Sequence, residues 1–393
     1  MNIFIIPSWY PSESNPIYGT FNKEQAVLMG QLRPSWNVGV SRWGQGDSSF
    51  LIPIRNPLSI VRLFAKHQTS QYSIDSNVKE YFSPAFSWTR KWRNGNIEGI
   101  FRANEENLNS FIHDHGRPEV ISAQATYPAA LIAKRLAQKF DLPYTVTIRM
   151  SPFPFSEFLT KNGALTSMIS QPLNSASRLI ATSNSLKDRL SEFDLNNVRI
   201  INNPVDIEKF KLAMEEKSNA TQCKVLTVGR VEDQKGIDLL LKAMSVIDAK
   251  FELRIGGAGS KISYYKKMSN DLGLRDKVKW LGQLSREEVV EEMQGCSFYV
   301  LSSRHETFGN VVVEAMSCGK PVVATKCGGP EEIVTAETGY LTDIDASDLA
   351  EKIDMMIQNF QSFDAKIIRR NALSRYAPKI WIKNLEKIFK EII

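Results

Sequence analysis

The chain has 393 residues, of which 42% are hydrophobic and 23% are charged, and these values predict two domains, each with its own core. They exclude a single small module. The net charge is +6: residues 1–200 contain 21 Lys and Arg against 15 Asp and Glu, and the two signs balance in the remainder, so the surplus serves either solubility or an anionic partner of the first half.

The opening residues, MNIFIIPSWYP, contain an apolar run of four before Pro7, and no later run approaches the roughly 18 residues of a membrane span. The sequence therefore predicts a cytoplasmic protein. The cysteines show neither the spacing of a disulfide framework nor that of a zinc site, so we expect no metal and four small buried residues. They are Cys223, Cys296, Cys318 and Cys327.

Strand-like and helix-like segments alternate along the first half. The pattern predicts strands at NIFIIP, PEVISAQ, PYTVTIR and SRLIATS, and helices at AALIAKRLAQKF and SLKDRLSEF. A further helix is predicted from Asn22, whose spacing to Gln25 suits an N-terminal cap. Residues 50–100 show no clear pattern. The alternation predicts a parallel sheet with helices on both faces.

A second alternating series begins near Cys223. It predicts strands at KVLTVG, FELRIGG, KVKWLG, FYVLSS and PVVAT, and helices at GIDLLLKAMSVI and YYKKMSNDLG. Another helix is predicted from Ser285, where the spacing of Ser285 and Glu288 suits a capping box. The polar segment NNPVDIEKFKLAMEEKSNATQ separates the two series. We therefore predict domains at 1–203 and 204–375, and a C-terminal helix at 376–393 that packs back toward the first domain.

Ligands of doubly wound sheets bind where strands end and helices begin, so the strand-exit loops contain the candidate residues. RHETFG follows the strand FYVLSS and places Glu306 in such a loop, with Glu314 one turn into the next helix. The unpaired amides of Phe308 to Val311 at that helix start favour a phosphate. In TVGRVEDQKGIDLLL, Arg230 leaves a strand and Lys235 follows five residues later, a pair that suits the same ligand.

Glu306 and Glu314 could be a catalytic pair, two ends of a ligand clamp, or exposed charges. Eight helical steps separate them by about 12 Å. Glycosidase carboxylates stand about 5 to 9.5 Å apart. The spacing therefore favours a clamp on one extended ligand.

Several segments together resemble the retaining glycosyltransferases of family 4, which have the GT-B fold. They are VGRVEDQKGIDLLL, IGGAGS, HETFGNVVVEA, GKPVVAT and GGPEEIV, preceded by the hinge-like NNPVDIEKF, and the N-terminal PSWYPSESNPIYGTFNKEQA is similar to the family's first strand and Gly loop. The resemblance covers nearly the whole chain, most strongly Asn203 to Val334. It implies two Rossmann-like domains facing across a cleft.

The resemblance also implies roles for the candidate residues. Arg230 and Lys235 would hold the diphosphate of a nucleotide sugar, UDP- or GDP-linked, and neutralise the leaving charge. Glu314 would accept hydrogen bonds from the ribose diol, and Glu306 would accept them from sugar hydroxyls. The backbone amides would reach the phosphate or the sugar; they belong to Phe308, Gly309, Asn310 and Val311. Gly19 would let the first-domain loop approach the phosphates, although an ordinary turn glycine explains it almost as well.

One position departs from the family pattern. Many members carry a His followed by Gly after the strand that here is PYTVTIR, close to the reacting sugar, whereas this chain has Arg149 and Met150. Proton transfer by a His at that place is therefore excluded. A front-face retaining mechanism, in which the leaving phosphate accepts the proton, needs no general base. Arg149 stays a catalytic candidate, and Tyr18, Arg149 and Met150 are acceptor-side candidates.

The resemblance implies a retaining, metal-independent hexosyltransferase of cell-surface polysaccharide biosynthesis, acting on a glycan or undecaprenyl-linked acceptor, without cofactor or nucleic acid. Peripheral membrane contact is suggested by Trp88 to Arg93, where aromatic and basic residues alternate, although the sequence favours a solvated loop with a core-packed Trp. A nucleotide-sugar epimerase, which needs no acceptor, and a non-catalytic binder are the alternatives. Donor sugar, base, acceptor and linkage are not specified by the sequence.

Overall fold

The computed structural model describes residues 1–51, 68–87, 95–213 and 222–393. The chain divides into two compact units, and each consists of more than one segment. The first contains Met1–Ala181, Lys187–Ile201 and Ile382–Ile393, and the second contains Thr182–Leu186 and Asn202–Trp381. The segment from Trp88 to Arg93, which the sequence suggests as a membrane contact, lies wholly outside the described residues.

The first unit is built on an eight-stranded sheet, with the order β3-β4-β2-β1-β5-β6-β7-β8. Every neighbouring pair is parallel except β3 and β4, which form an antiparallel edge. The central strands are buried along most or all of their length, as expected for a sheet covered on both faces. The strands are β1 Asn2–Pro7, β2 Asn37–Arg42, β3 Ser70–Asp75, β4 Val78–Phe82, β5 Val120–Gln124, β6 Tyr144–Ile148, β7 Arg178–Ala181 and β8 Val198–Ile200.

Helices of the first half connect these strands. They are α1 Thr20–Leu32, α2 Ile97–His115, α3 Leu131–Phe140, α4 Ser167–Asn174 and α5 Asn184–Ser191.

The predicted cap at Asn22 is wrong. Helix α1 begins two residues earlier, after Gly19, and the Asn22 side chain instead donates to the carbonyl oxygen of Trp9 at 2.6 Å and is buried. Gly19 has a φ of 72°, and a Cβ there would lie 2.4 Å from the Trp9 carbonyl carbon. Only glycine fits this turn, so the loop geometry alone accounts for the residue.

The second unit contains a six-stranded parallel sheet with the order β11-β10-β9-β12-β13-β14. Its chain path starts at β9, moves outward through β10 and β11, and returns to β12 on the other side of β9. This reversal creates a topological switch point between β9 and β12, the usual ligand position in such sheets. The strands are β9 Cys223–Val228, β10 Phe251–Gly256, β11 Val278–Gly282, β12 Phe298–Leu301, β13 Val322–Thr325 and β14 Gly339–Thr342.

Two hydrophobic clusters form the core of the second unit. The cap predicted for the helix after β11 is confirmed: Ser285 and Glu288 form a reciprocal capping box. Three of the four cysteines are buried as predicted, and Cys223 is half-buried. The helices are α6 Ile237–Ser245, α7 Ile262–Asp271, α8 Arg286–Gly295, α9 Asn310–Ser317, α10 Pro330–Ile333, α11 Ala346–Asn359 and α12 Ala365–Tyr376.

The last helix, α13 Pro378–Ile392, begins in the second unit and ends in the first. Its Phe389 is fully buried, with its ring 6.3 Å from that of Trp36, and Glu386 accepts two hydrogen bonds from Arg33 at 2.8 and 2.5 Å. The α/β class with parallel sheets in two units, predicted from alternation, is confirmed. In the part of the chain that the structure describes, no helix is both long and apolar enough to cross a bilayer.

Candidate functional site

A shallow open pocket lies at the switch point of the second unit. Its walls come from the ends of β9, β10 and β12 and from the loops that follow them, and they include Arg230, Lys235, Ser302 and Ser303. The rest of the lining combines two glycines and short polar side chains with the aliphatic side chains of Val228, Ile237, Ile255 and Leu301. The parallel sheet thus brings together two sequence segments that are about 70 residues apart, as its topology requires.

Lys235 and Glu306 form an ion pair beside this pocket. Lys235 Nζ lies 2.5 Å from Glu306 Oε1, and Ser303 Oγ donates to the same oxygen at 2.7 Å. The side chains are only 21% and 11% exposed, so solvent screens their attraction weakly. Among the described residues no protein donor bonds Glu306 Oε2. That oxygen can therefore accept a hydrogen bond from a ligand.

Arg230 is exposed at the rim of the pocket. Within the described ranges its guanidinium forms no ion pair, whereas the charges of Lys235 and Glu306 compensate each other. The pocket therefore has a surplus of one positive charge. Such a site suits a phosphate, which a guanidinium can bind through two parallel hydrogen bonds.

The backbone of Glu306 is fixed between two loops. Its amide donates to the Cys327 carbonyl oxygen at 2.8 Å, and its own carbonyl oxygen accepts from the Gly329 amide at 3.0 Å. Helix α9 starts four residues later, after Gly309. In the described part of the chain, the amides of Phe308 to Val311 donate to no protein acceptor. They are therefore available to an anion, as helix N-termini commonly are.

The side chains around this helix start are anchored in the second unit. Phe308 is 3% exposed and packs edge-on against Tyr376, with the ring centroids 5.4 Å apart. Asn310 accepts a hydrogen bond from the Asn203 side chain at 3.0 Å. The backbone amides of this segment are thus placed to bind a ligand, beside the exposed side chain of Asn310.

Glu314 is 5% exposed and pairs with Arg286, whose Nη2 lies 2.8 Å from Glu314 Oε1. The Arg286 guanidinium also stacks over the Phe210 ring at 4.6 Å. Sequence reasoning missed Arg286, although it lies just after the β11 exit, the same kind of position that identified Arg230. A strand-exit arginine next to a capped helix start is the pattern that could have found it.

The acceptor-side candidates lie in the first unit. Arg149 follows β6 and donates to the side-chain oxygens of Gln124 and Gln25, the latter at 2.6 Å, while its guanidinium lies 5.8 Å from the Phe21 ring centroid. Burial lowers the pKa of Arg149 to about 9, which keeps it a cation at neutral pH.

The other two candidates differ in their exposure. Met150 is 3% exposed, and its sulfur lies 3.7 Å from Thr126 Oγ1, within reach of a weak hydrogen bond. Tyr18 is 37% exposed, and partial burial raises the pKa of its phenol. A ligand can therefore reach Tyr18 directly but meets little of Met150.

Two family models match consecutive parts of the chain. The model described as Glycosyl transferases group 1 matches residues 208–379, and the model described as Glycosyltransferase Family 4 matches residues 75–209. Together they extend across most of both units.

Curated proteins with similar sequences are also named as glycosyltransferases. The chain is 32% identical over 246 residues to an uncharacterized glycosyltransferase of Methanocaldococcus jannaschii, a match covering 61% of this chain and 66% of the relative. Across the first curated relatives, the matched region spans about half to two thirds of their length.

Solved structures are similar over the full length at low sequence identity. A sucrose-phosphate synthase from Thermosynechococcus elongatus has a TM-score of 0.76 at 18% identity and covers 100% of this chain and 99% of its own. Anabaena HepE in complex with UDP has a TM-score of 0.70 at 20% identity, with 100% of both chains covered. These likenesses concern the fold.

Proposed function

Because this chain belongs to glycosyltransferase family 4 and has the GT-B fold, we propose that it transfers a hexose-type sugar from a nucleotide-sugar donor to a hydroxyl group of an acceptor. The observation that carries the proposal is the ion pair of Lys235 and Glu306, which stands at the switch point beside an arginine and unpaired helix-start amides. This arrangement offers cations for a diphosphate and, directly beside the pocket, a carboxylate oxygen for a sugar hydroxyl.

We assign the donor contacts as follows. Arg230 and Lys235 bind the diphosphate, and the amides of Phe308 to Val311 reach its sugar-proximal phosphate. Glu306 accepts from sugar hydroxyls through Oε2. Glu314, which Arg286 orients, accepts from the ribose diol. The UDP complex of the similar HepE structure supports a uridine donor as the first to test, with a guanosine donor as the second.

The proposed reaction retains the anomeric configuration. A bond forms between the acceptor oxygen and C1 of the sugar while the bond from C1 to the phosphate oxygen breaks, and the acceptor proton passes to the leaving phosphate. Arg230 and Lys235 stabilise the charge that develops on that phosphate, so the step requires no metal ion. Arg149 occupies the position after β6 where many relatives have His. As a cation it could orient the acceptor but could not accept its proton.

For the acceptor we propose a glycan or lipid-linked oligosaccharide used in cell-surface polysaccharide synthesis, at the cytoplasmic face of the membrane. The surplus of basic residues in the first 200 positions supports an acceptor attached to phosphate or to an anionic lipid surface. This part of the proposal rests on charge and on the family, and it is the part that an acceptor screen tests first.

The test is a transfer assay with UDP- and GDP-sugars, in the presence of EDTA, on wild type and matched variants. We expect Lys235→Ala and Glu306→Gln to fold normally and to lose about 100-fold or more in kcat/KM, because each removes charge stabilisation or positioning at the transferring bond. Lys326→Ala and Glu337→Gln, on exposed residues of the same unit, serve as matched controls and should transfer at the wild-type rate.

Two further readouts separate the alternatives. Wild-type turnover in either site variant would contradict the assigned roles. An isomerised nucleotide sugar formed without acceptor, seen by NMR, would identify an epimerase instead. A product of inverted anomeric configuration, or activity abolished by EDTA, would refute the retaining, metal-independent mechanism.

A further inference from the structure

Arg304 connects the two loops that form the pocket. Its guanidinium donates to both carboxylate oxygens of Asp238, at 2.9 Å from Nη1 and 2.7 Å from Nη2, and Nη1 also donates to the Asp233 carbonyl oxygen at 2.7 Å. Its backbone amide donates to the Gln234 carbonyl oxygen at 2.8 Å. One residue of the β12 exit loop thus bonds three residues of the β9 exit segment.

Neighbouring bonds extend this connection. Ser302 Oγ donates to the Lys235 carbonyl oxygen at 2.9 Å, and Gln234 Nε2 donates to the His305 carbonyl oxygen at 2.9 Å. The carbonyl oxygens of three consecutive residues, 233–235, therefore each accept a hydrogen bond from residues 302–304. Lys235 is the last residue of the first segment, and Glu306 comes two residues after Arg304 in the second segment.

The pair of Arg304 and Asp238 has the geometry of a rigid brace. Two parallel bonds between a planar guanidinium and a carboxylate fix both distance and orientation, which a single contact does not. Burial of Asp238 opposes its ionisation, yet the hydrogen bonds from Arg304 prevail and lower its pKa. Asp238 lies in the first turn of α6, so the brace ties the β12 exit loop to a helix.

We propose that Arg304 is a positioning residue for the donor site, which through Asp238 and the 233–235 carbonyls holds Lys235 in register with Glu306. The inference rests on the proposed function, in which these two side chains meet the diphosphate and the sugar. Without the brace, the 233–235 segment is free to shift against the β12 exit loop. Lys235 then no longer stands where a diphosphate would meet it.

Arg254 supplies a matched control. It forms the same kind of fork in the same unit, with Nε and Nη2 at 2.6 and 2.5 Å from the Glu292 carboxylate oxygens, but between β10 and α8. Removing Arg304 breaks its ion pair with Asp238, and removing Arg254 breaks two partly buried ion pairs, with Glu292 and Glu252. Only the loss of Arg304 should move Lys235.

The experiment compares the affinities of UDP and UMP by calorimetry for wild type, Arg304→Ala, Arg304→Lys, Asp238→Asn and Arg254→Ala. UMP lacks the second phosphate and serves as the internal reference. We expect Arg304→Ala to weaken UDP binding about tenfold and to leave UMP nearly unchanged, because a cation displaced by an ångström loses its hydrogen bonds to phosphate. Arg304→Lys should not rescue, since an ammonium cannot form the fork. Arg254→Ala should keep the wild-type ratio of affinities.

A second readout needs no nucleotide. Acetic anhydride modifies lysines according to their exposure and freedom, and mass spectrometry follows each site. Lys235 should react several-fold faster in Arg304→Ala than in wild type, while the exposed Lys326 stays unchanged in both. Unchanged Lys235 reactivity overturns the positioning role, as does an unchanged UDP to UMP ratio. If the wild type binds no nucleotide but Lys235 reacts faster in Arg304→Ala, the positioning role of Arg304 is supported and the proposed nucleotide-sugar donor is contradicted.

Discussion

Gly329 shows how closely the loops of the proposed donor site approach each other. A Cβ at this residue would lie 2.2 Å from the Phe308 carbonyl oxygen and 2.3 Å from its Cα. The φ of Gly329 is −56°, which any residue adopts, so glycine is needed for space and not for conformation. The backbone that it permits is the start of the helix whose amides we assign to the donor phosphate.

Gly329→Ala is therefore expected to displace the Phe308 backbone and weaken UDP binding. Crowding of this kind typically costs about 1 to 3 kcal/mol of unfolding free energy. Gly295→Ala is the control, because a Cβ at Gly295 meets no atom within 4 Å and the residue ends a helix. Calorimetric UDP affinity and urea unfolding of both variants check the prediction. Equal affinities for UDP in the two variants would contradict it.

Single residues were predictable where one local pattern placed them. Arg230, Lys235 and Glu306 each follow a strand within a recognisable exit loop, and the structure brings Lys235 and Glu306 into contact. The partners that orient them were not predictable. Arg304 bonds Asp238, 66 positions earlier, and Arg286 bonds Glu314 across the unit, so both pairs exist only once the strand order is known.

Helix α8 starts with a reciprocal capping box. Ser285 accepts from the Glu288 amide at 3.2 Å, and Glu288 accepts from the Ser285 amide at 2.7 Å. These contacts satisfy two backbone donors, one of them at the helix end, and the Glu288 carboxylate lies at the positive end of the helix dipole. Because Arg286 is the first helical residue, the cap also fixes the backbone that presents Arg286 to Glu314.

Ser285→Ala should lower the free energy of unfolding by about 1 kcal/mol, the usual value of an N-cap side chain. Ser347→Ala is the matched control, since α11 is capped by the Asp345 side chain and Ser347 contributes only its backbone amide. Its effect should stay within about 0.5 kcal/mol. Urea unfolding of both variants measures the difference. Equal free energies of unfolding in the two variants would show that the capping box of α8 does not stabilise the protein measurably.

Sequence reasoning missed several elements of the first unit, among them β2, β4 and α2 inside the fold and β3 at the sheet edge. β3 is largely exposed and pairs only with β4, so its residues show no apolar alternation from which a strand could be predicted. The wrong start of α1 has a different cause. Asn22 has the composition of a cap, but the left-handed Gly19 already begins the helix, and tertiary packing uses the Asn22 amide to bind Trp9.

At the scale of the whole molecule, neither unit is one continuous stretch of sequence. The first unit is completed by residues 382–393, which pack Phe389 against Trp36 and Glu386 against Arg33. The apolar residues of this segment recur at helical spacing, and Ile382, Leu385, Ile388 and Phe389 are all at most 5% exposed. The helical spacing was visible in the sequence. Which unit the segment packs against depends on contacts some 350 positions away.

Phe389→Ala should therefore destabilise the first unit selectively. Truncating a fully buried phenylalanine costs about 3 to 5 kcal/mol, and Phe389 packs against Trp36 of the first unit. Hydrogen exchange followed by mass spectrometry should show faster exchange in peptides from α1, β1 and β2, and unchanged exchange in peptides from β12 and β13. Lys387→Ala, on the exposed face of the same helix, should alter neither. An equal rise of exchange in both units would contradict the prediction. It would show that residues 382–393 stabilise both units together and not the first unit selectively.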